Sequence, residues 1–123
     1  MQYDELIALV AERTGLFDGD ALELTRATLA TLAERLSGDQ VRDLAAQLPA
    51  PLHDALFPTA EEAEAFSFEE FINRVAERTR HKSIVSETAV EAVMATLRDA
   101  VTPGEFDDIL DELPKDFHPL SAQ

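Results

Sequence analysis

An internal repeat constrains the fold of this chain more than any other feature of its sequence. When the chain is shifted by 65 positions, Tyr3–Pro58 align with Phe68–Gln123 without a gap, and YDELIALVAERT falls on FEEFINRVAERT. The register still holds near the ends of the two segments, where His53 falls on His118. A match this long predicts one supersecondary unit present twice. The expected organisation is a single domain over 1–123, with repeat one at 3–58, an acidic connector at 59–66 and repeat two at 67–123.

Apolar residues within each copy recur at helical spacing. In copy one, Leu6, Ile7 and Val10 lie on one face of a first helix. A longer second helix is expected over about Asp20–Leu36, and its counterpart over about Ser86–Val101. No segment alternates between apolar and polar residues with the period of two that is typical of strands. The pattern therefore predicts an all-α fold.

The third helix of each copy begins with a capping-box sequence. Ser37-Gly-Asp-Gln40 and Thr102-Pro-Gly-Glu105 place a hydroxyl before the helix and an amide or carboxyl side chain three residues later. Three helices are too few to bury both faces of the long one. We therefore expect the two copies to pack into one compact bundle of about six main helices, related by a pseudo-twofold or superhelical axis.

The first helix of each copy is expected to end differently. Gly15 follows the first helix of copy one, and glycine readily adopts the left-handed conformation that closes a helix. Copy two has Arg80 at the equivalent position, where that conformation is less favourable for a residue with a Cβ atom.

Composition excludes several classes of protein. The chain has 123 residues, of which 46% are hydrophobic, so it can bury a core and is not intrinsically disordered. Without cysteine it has no disulfides, thiol catalysis or cysteine zinc site. A net charge of −15 argues against binding to nucleic acid or to anionic membranes. Since no apolar run approaches the roughly 18 residues of a membrane span, and no leader sequence is evident, a cytoplasmic location is expected.

Several phrases of the sequence resemble a known bacterial family. These are VAERTG and TLAERLSGDQVRDLAAQLP in copy one, and FINRVAERT and LPKDFHP in copy two. Together they are similar to the family catalogued as domain of unknown function 2267, over essentially the whole chain. The resemblance implies a small, mostly helical protein with a duplicated unit. It implies no activity and no catalytic or binding residues, and no cofactor is expected.

A local group of basic residues stands out in this acidic chain. Positive side chains close to the amino terminus of a helix can bind an anion, and the helix after this group is expected to begin near 83–86. The alternative is structural: Arg78 pairs with Glu77 or with a carboxylate of the other copy. The candidate anion-binding residues are Arg74, Arg78, Arg80, His81 and Lys82.

Carboxylates and histidines supply a candidate metal site. Four acidic residues of the third helix in copy two form two pairs spaced four apart, which could attract a divalent cation or a basic partner but equally suit a solvated surface. His53 and His118 are equivalent in the repeat, and they either cap the carbonyls at the end of the third helix or meet as metal ligands between the copies. The candidate ligands are Asp107, Asp108, Asp111, Glu112, His53 and His118.

Two classes of function agree with these features. The favoured class is an interaction or scaffold module, a monomer or homodimer whose acidic surface meets a protein partner, which could be basic. The other is a small-ligand or metal-binding protein, or an enzyme, with a site between the repeats or at the turn 80–82. No catalytic residue is assigned, and isolated serines such as Ser37 and Ser67 are explained by helix capping.

Overall fold

The computed structural model describes residues 1–113. That part of the chain contains seven α-helices and no strand, which confirms the all-α prediction. The helices are α1 Tyr3–Thr14, α2 Asp18–Arg35, α3 Gly38–Gln47, α4 His53–Leu56, α5 Phe68–Glu77, α6 Glu87–Ala100 and α7 Pro103–Asp111. Single 3-10 turns precede α4 and α6, at Ala50–Leu52 and Lys82–Ile84.

The helix boundaries lie close to those expected from the sequence. The two long helices, α2 and α6, begin and end within two residues of their expected limits. α1 and α5 begin 65 positions apart, at Tyr3 and Phe68, and α3 and α7 begin 65 positions apart, at Gly38 and Pro103. The part of the predicted repeat two from position 114 onward lies outside the described residues.

The first helices of the two segments end differently, as the sequence predicted. Gly15 has φ of 76° and donates its backbone N–H to Ala11 O at 2.8 Å, so it closes α1 in the left-handed conformation. α5 ends earlier, at Glu77, and Arg78 caps it with ordinary helical dihedral angles. Arg80 therefore avoids the left-handed conformation, and the chain continues through a short turn instead.

Only half of each predicted capping box forms at the start of α3 and α7. The hydroxyl of Ser37 accepts a hydrogen bond from Gln40 N at 3.4 Å, and that of Thr102 accepts one from Glu105 N at 3.3 Å. Gln40 and Glu105 were expected to reach back to the cap residue, but an oxygen of each side chain is buried without a hydrogen-bond partner. That half of the prediction is wrong.

The cap amides are taken instead by side chains from the other segment. Ser37 N donates to Glu112 Oε1 at 2.8 Å, at the end of α7. Thr102 N donates to Gln47 Oε1 at 2.8 Å, at the end of α3. Because α3 packs against α7, these longer-range acceptors are within reach and displace the local ones. Each of the two helices is therefore capped by the last turn of the other.

The core is shared by helices from both segments. α1 packs against α2 and α6, while α2 packs against α5 and α6. Leucines of the long helices, such as Leu32 and Leu97, are almost completely buried. Three buried threonines of α2 donate their hydroxyls to the carbonyl four residues earlier, so their burial leaves no donor unsatisfied. The long helices thus present polar as well as apolar groups to the opposite segment.

Candidate functional site

Arg74 is held by three carboxylates and one aromatic ring. Its guanidinium lies 2.8 Å from Glu70, 2.5 Å from Glu64 and 3.4 Å from Glu34, and it stacks over Phe66 at 3.9 Å from the ring centroid. The hydrogen bonds that Arg74 donates to Glu64 and, with a smaller effect, to Glu70 raise the pKa of Arg74 further above its usual value. The side chain is 20% exposed, so Arg74 is already engaged by groups of this chain.

Arg78 is paired with a carboxylate of the other segment. Its Nη1 donates to Thr31 Oγ1 at 2.8 Å, and its Nη2 lies 2.9 Å from Glu34 Oε2. Thr31 is fully buried on α2, so the contact fixes α5 against that helix. The structural alternative for Arg78, an ion pair, is therefore what is observed, with Glu34 of the other segment rather than Glu77 as the acid.

Arg13 of the first segment makes the corresponding contact with the second segment. Its Nη1 donates to Thr96 Oγ1 at 3.0 Å, and its Nη2 lies 2.7 Å from Asp99 Oδ2. Both partners are on α6, and all three residues lie 65 positions from those of the Arg78 contact. Two arginines thus join the first helix of each segment to the long helix of the other.

The remaining residues of the basic group lie on an exposed turn. Arg80, His81 and Lys82 are all exposed. Glu23 accepts a hydrogen bond from the backbone N–H of Arg80, whereas the Arg80 guanidinium is 87% exposed and lies 3.8 Å from that carboxylate. The five candidate anion-binding residues are therefore divided between two arginines closely paired with carboxylates, Arg74 and Arg78, and three residues of an exposed turn.

The candidate metal ligands at α7 do not form a metal site among the described residues. Asp107, Asp108 and Asp111 are exposed. Glu112 is half-buried and accepts hydrogen bonds from Ser37 N at 2.8 Å and Ser37 Oγ at 2.9 Å, so it acts as a helix cap. Within residues 1–113, no group of three His, Asp or Glu side chains is placed to hold a metal ion.

The two candidate histidines have separate outcomes. His53 Nε2 lies 2.8 Å from Leu48 O, the carbonyl at the end of α3, which is the capping role considered from the sequence. His118 lies outside the described residues, so a meeting of the two imidazoles stays a prediction.

Sequence reasoning missed the one buried acidic side chain of residues 1–113. Glu105, at the start of α7, is only 7% exposed, and its Oε2 has no hydrogen-bond partner. Burial raises the pKa of Glu105, and the negative charges of Asp43, Asp108 and Glu112 raise it further. Among the described residues, no basic side chain forms an ion pair with any of these four, which we call the acidic cluster.

The raised pKa of Glu105 makes stability depend on pH. The folded state binds the Glu105 proton more tightly than the unfolded state does. The stability that Glu105 contributes is therefore fully present below the ordinary pKa of a glutamate and is lost as pH rises through the raised pKa. Glu105→Gln removes this titration. We expect the free energy of unfolding of the variant to increase relative to that of the wild type as pH rises, by about 1 kcal/mol at neutral pH.

Urea denaturation at several pH values between 4 and 8 measures this difference. Asp108→Asn, which removes an exposed charge of the same cluster, is the matched control and should shift stability less. A constant difference between wild type and Glu105→Gln at every pH would contradict the role given to this carboxyl.

These features define the structural class of the protein. It is a small, acidic, all-α protein in which arginine pairs and helix caps join two helical segments. The model of the family described as "Uncharacterized conserved protein (DUF2267)" matches residues 3–120, so the chain belongs to that family, and the resemblance noted from the sequence is confirmed. No curated protein matches the chain. None of the helices in residues 1–113 has the length and apolar character needed to cross a bilayer.

Proposed function

We propose that this protein is an interaction module whose acidic cluster receives a basic segment of a protein partner. The observation that carries the proposal is Glu105, a buried carboxyl with an unpartnered oxygen beside three further carboxylates. A buried acid without a cation is unfavourable for the isolated fold. An approaching ammonium or guanidinium group would offset that cost, which gives the partner its chemistry.

The charge around the cluster supports a partner rather than an internal counterion. The described ion pairs engage acids such as Glu34, Asp54 and Asp99, all outside the cluster. Asp43 and Asp108 are exposed on α3 and α7 and lie near enough to Glu105 to raise its pKa. A net charge of −15 would steer a basic segment toward such a surface and disfavour nucleic acid.

Binding of a decalysine peptide tests this proposal. We expect measurable affinity at low salt that falls as sodium chloride is added, because the attraction is screened. The double variant Asp43→Asn with Asp108→Asn should weaken binding by about three- to tenfold, as expected for charges at the rim of an interface. Isothermal titration calorimetry at fixed ionic strength provides the measurement.

A matched variant separates this surface from net charge. Glu12→Gln with Glu62→Gln also removes two negative charges, but from exposed positions outside the cluster. We expect decalysine to bind this variant almost as tightly as it binds the wild type. Equal weakening in both double variants would reject the acidic cluster as the binding surface.

We also infer that the chain is a duplicated three-helix unit with pseudo-twofold packing. Two pairs of contacts support this arrangement because each is reciprocal, as in an isologous interface. Arg13 contacts α6 as Arg78 contacts α2, and Gln47 caps α7 as Glu112 caps α3. Within each pair, the equivalent residues are 65 positions apart.

The duplication makes the acidic cluster asymmetric. Asp43 and Asp108 are equivalent positions of the two copies, whereas Glu105 and Glu112 of copy two correspond to Gln40 and Gln47 of copy one, which carry no charge. A partner would therefore meet different charges on the two copies, which fixes its orientation. In this function the protein is a cytoplasmic monomer or homodimer that binds a basic protein segment without a cofactor.

A further inference from the structure

An open hollow lies between α2, α4 and the turn that follows α5. Its volume is about 590 Å³, within the usual range of small-molecule sites. The apolar part of its lining comes from Leu22 and Ala30 on α2 and Ala55 on α4. The two alanines leave space between the helices because each ends at Cβ. The hollow therefore offers an apolar surface to a short hydrocarbon group.

Three arginines line the same hollow, and its two acids are engaged. Asp54 is paired with Arg26 at 2.9 Å, and that hydrogen bond lowers the pKa of Asp54. Glu23 accepts the backbone N–H of Arg80. Arg78 is shared between this hollow and its ion pair across the two segments. Among the described residues, the Arg80 guanidinium makes only a long ion pair, with Glu23 at 3.8 Å, and its side chain is 87% exposed, so most of the group is accessible to a ligand.

A second hollow differs from the first in the charges of its lining, although it also contains two arginines, Arg13 and Arg98. It measures about 470 Å³ and is lined by α6 and by Arg13 of α1. Its Glu91 lies 65 positions from Arg26 and has no ion-pair partner among the described residues. The counterpart of Arg80 is Gly15. The second hollow therefore has an unpaired acid and no arginine equivalent to Arg80, whereas both acids of the first hollow are paired with arginines.

We propose that the first hollow binds a small amphipathic organic anion. Its carboxylate or phosphate group meets Arg80 and Arg78, since guanidinium groups bind such anions through strong, charge-assisted hydrogen bonds. Its apolar chain lies on Leu22, Ala30 and Ala55. The site is independent of the acidic cluster, which consists of residues on α3 and α7.

Hexanoate and hexyl phosphate are suitable probes, with hexylammonium and inorganic phosphate for comparison. We expect both amphipathic anions to raise the melting temperature in a saturable manner at constant ionic strength, because a ligand that binds only the folded state stabilises it. Hexylammonium should give no such rise, and phosphate alone should bind more weakly. A larger shift with one of the two anions identifies the preferred headgroup.

Two variants place the site and one controls for charge. Arg80→Ala should weaken binding about tenfold, and Ala30→Leu should abolish it by filling the hollow. Since Arg80 is 87% exposed, its replacement leaves folding intact even if Ala30→Leu does not fold. Arg98→Ala removes one arginine from the second hollow and should leave binding unchanged.

Titration calorimetry with hexanoate reads these affinities directly, and far-UV circular dichroism checks that each variant is folded. Unchanged affinity in Arg80→Ala, or an equal loss in Arg80→Ala and Arg98→Ala, would overturn the proposal. Equal binding of hexylammonium and hexanoate would also overturn it, because the hollow would then recognise only the hydrocarbon.

Discussion

Leu32→Ala and Leu97→Ala are each expected to lower the free energy of unfolding by about 2–5 kcal/mol. Leu32 on α2 is 0% exposed and Leu97 on α6 is 1% exposed, and they lie 65 positions apart in the sequence. Truncation removes buried apolar surface and leaves a cavity in a close-packed core. Urea denaturation followed by circular dichroism measures the loss.

The same pair of variants tests whether the two segments fold together. Because α1 packs on α6 and α2 packs on α5, each leucine belongs to a core that both segments share. We expect one transition in each variant, shifted as a whole, as for a single cooperative domain. Leu9→Ala, at a half-buried position of α1, should cost clearly less. Separate transitions, one affected by each leucine substitution, would contradict the single-domain prediction.

Local sequence signals predicted the helices and several of their ends. Leu6, Ile7 and Val10 lie on a buried helical face, and Gly15 closes α1 as expected because its conformation depends on its own missing Cβ atom. The capping boxes show where such signals stop. A sequence motif cannot reveal that Glu112 and Gln47, from distant turns, are better placed to accept the cap amides.

Candidate sites were harder to predict because charge pairing joins distant parts of the chain. The cluster of basic residues is evident in the sequence, but Glu34, which meets both Arg74 and Arg78, is 40 or more positions away from them. Glu105 was interpreted as half of a capping box, and only tertiary packing shows that its carboxyl is buried without a partner. The match between positions 65 apart is a sequence signal that relates Arg13 to Arg78 and Glu34 to Asp99 before the structure is known.

Arg74→Ala is expected to lower the free energy of unfolding by about 2–3 kcal/mol. The substitution leaves Glu34, Glu64 and Glu70 close together without their shared cation, in a chain of net charge −15. Removing one member of a buried ion pair costs about 3–5 kcal/mol, and the partial exposure of this site lowers that value. The stacking of Arg74 on Phe66 is lost as well.

Two further variants show whether this loss comes from the ion-pair network. Arg80→Ala removes an equal charge from a side chain that is 87% exposed, and it should change stability by less than about 0.5 kcal/mol. Arg74→Lys keeps the charge, but an ammonium group cannot bridge three carboxylates and stack on Phe66 as a planar guanidinium does. The stability of this variant should therefore lie between that of the wild type and that of Arg74→Ala. Equal losses in Arg74→Ala and Arg80→Ala, measured by urea denaturation at the same ionic strength, would mean that net charge governs stability. We expect the larger loss of stability in Arg74→Ala, because this one guanidinium forms ion pairs with Glu70 of α5, with Glu64 and with Glu34 of α2.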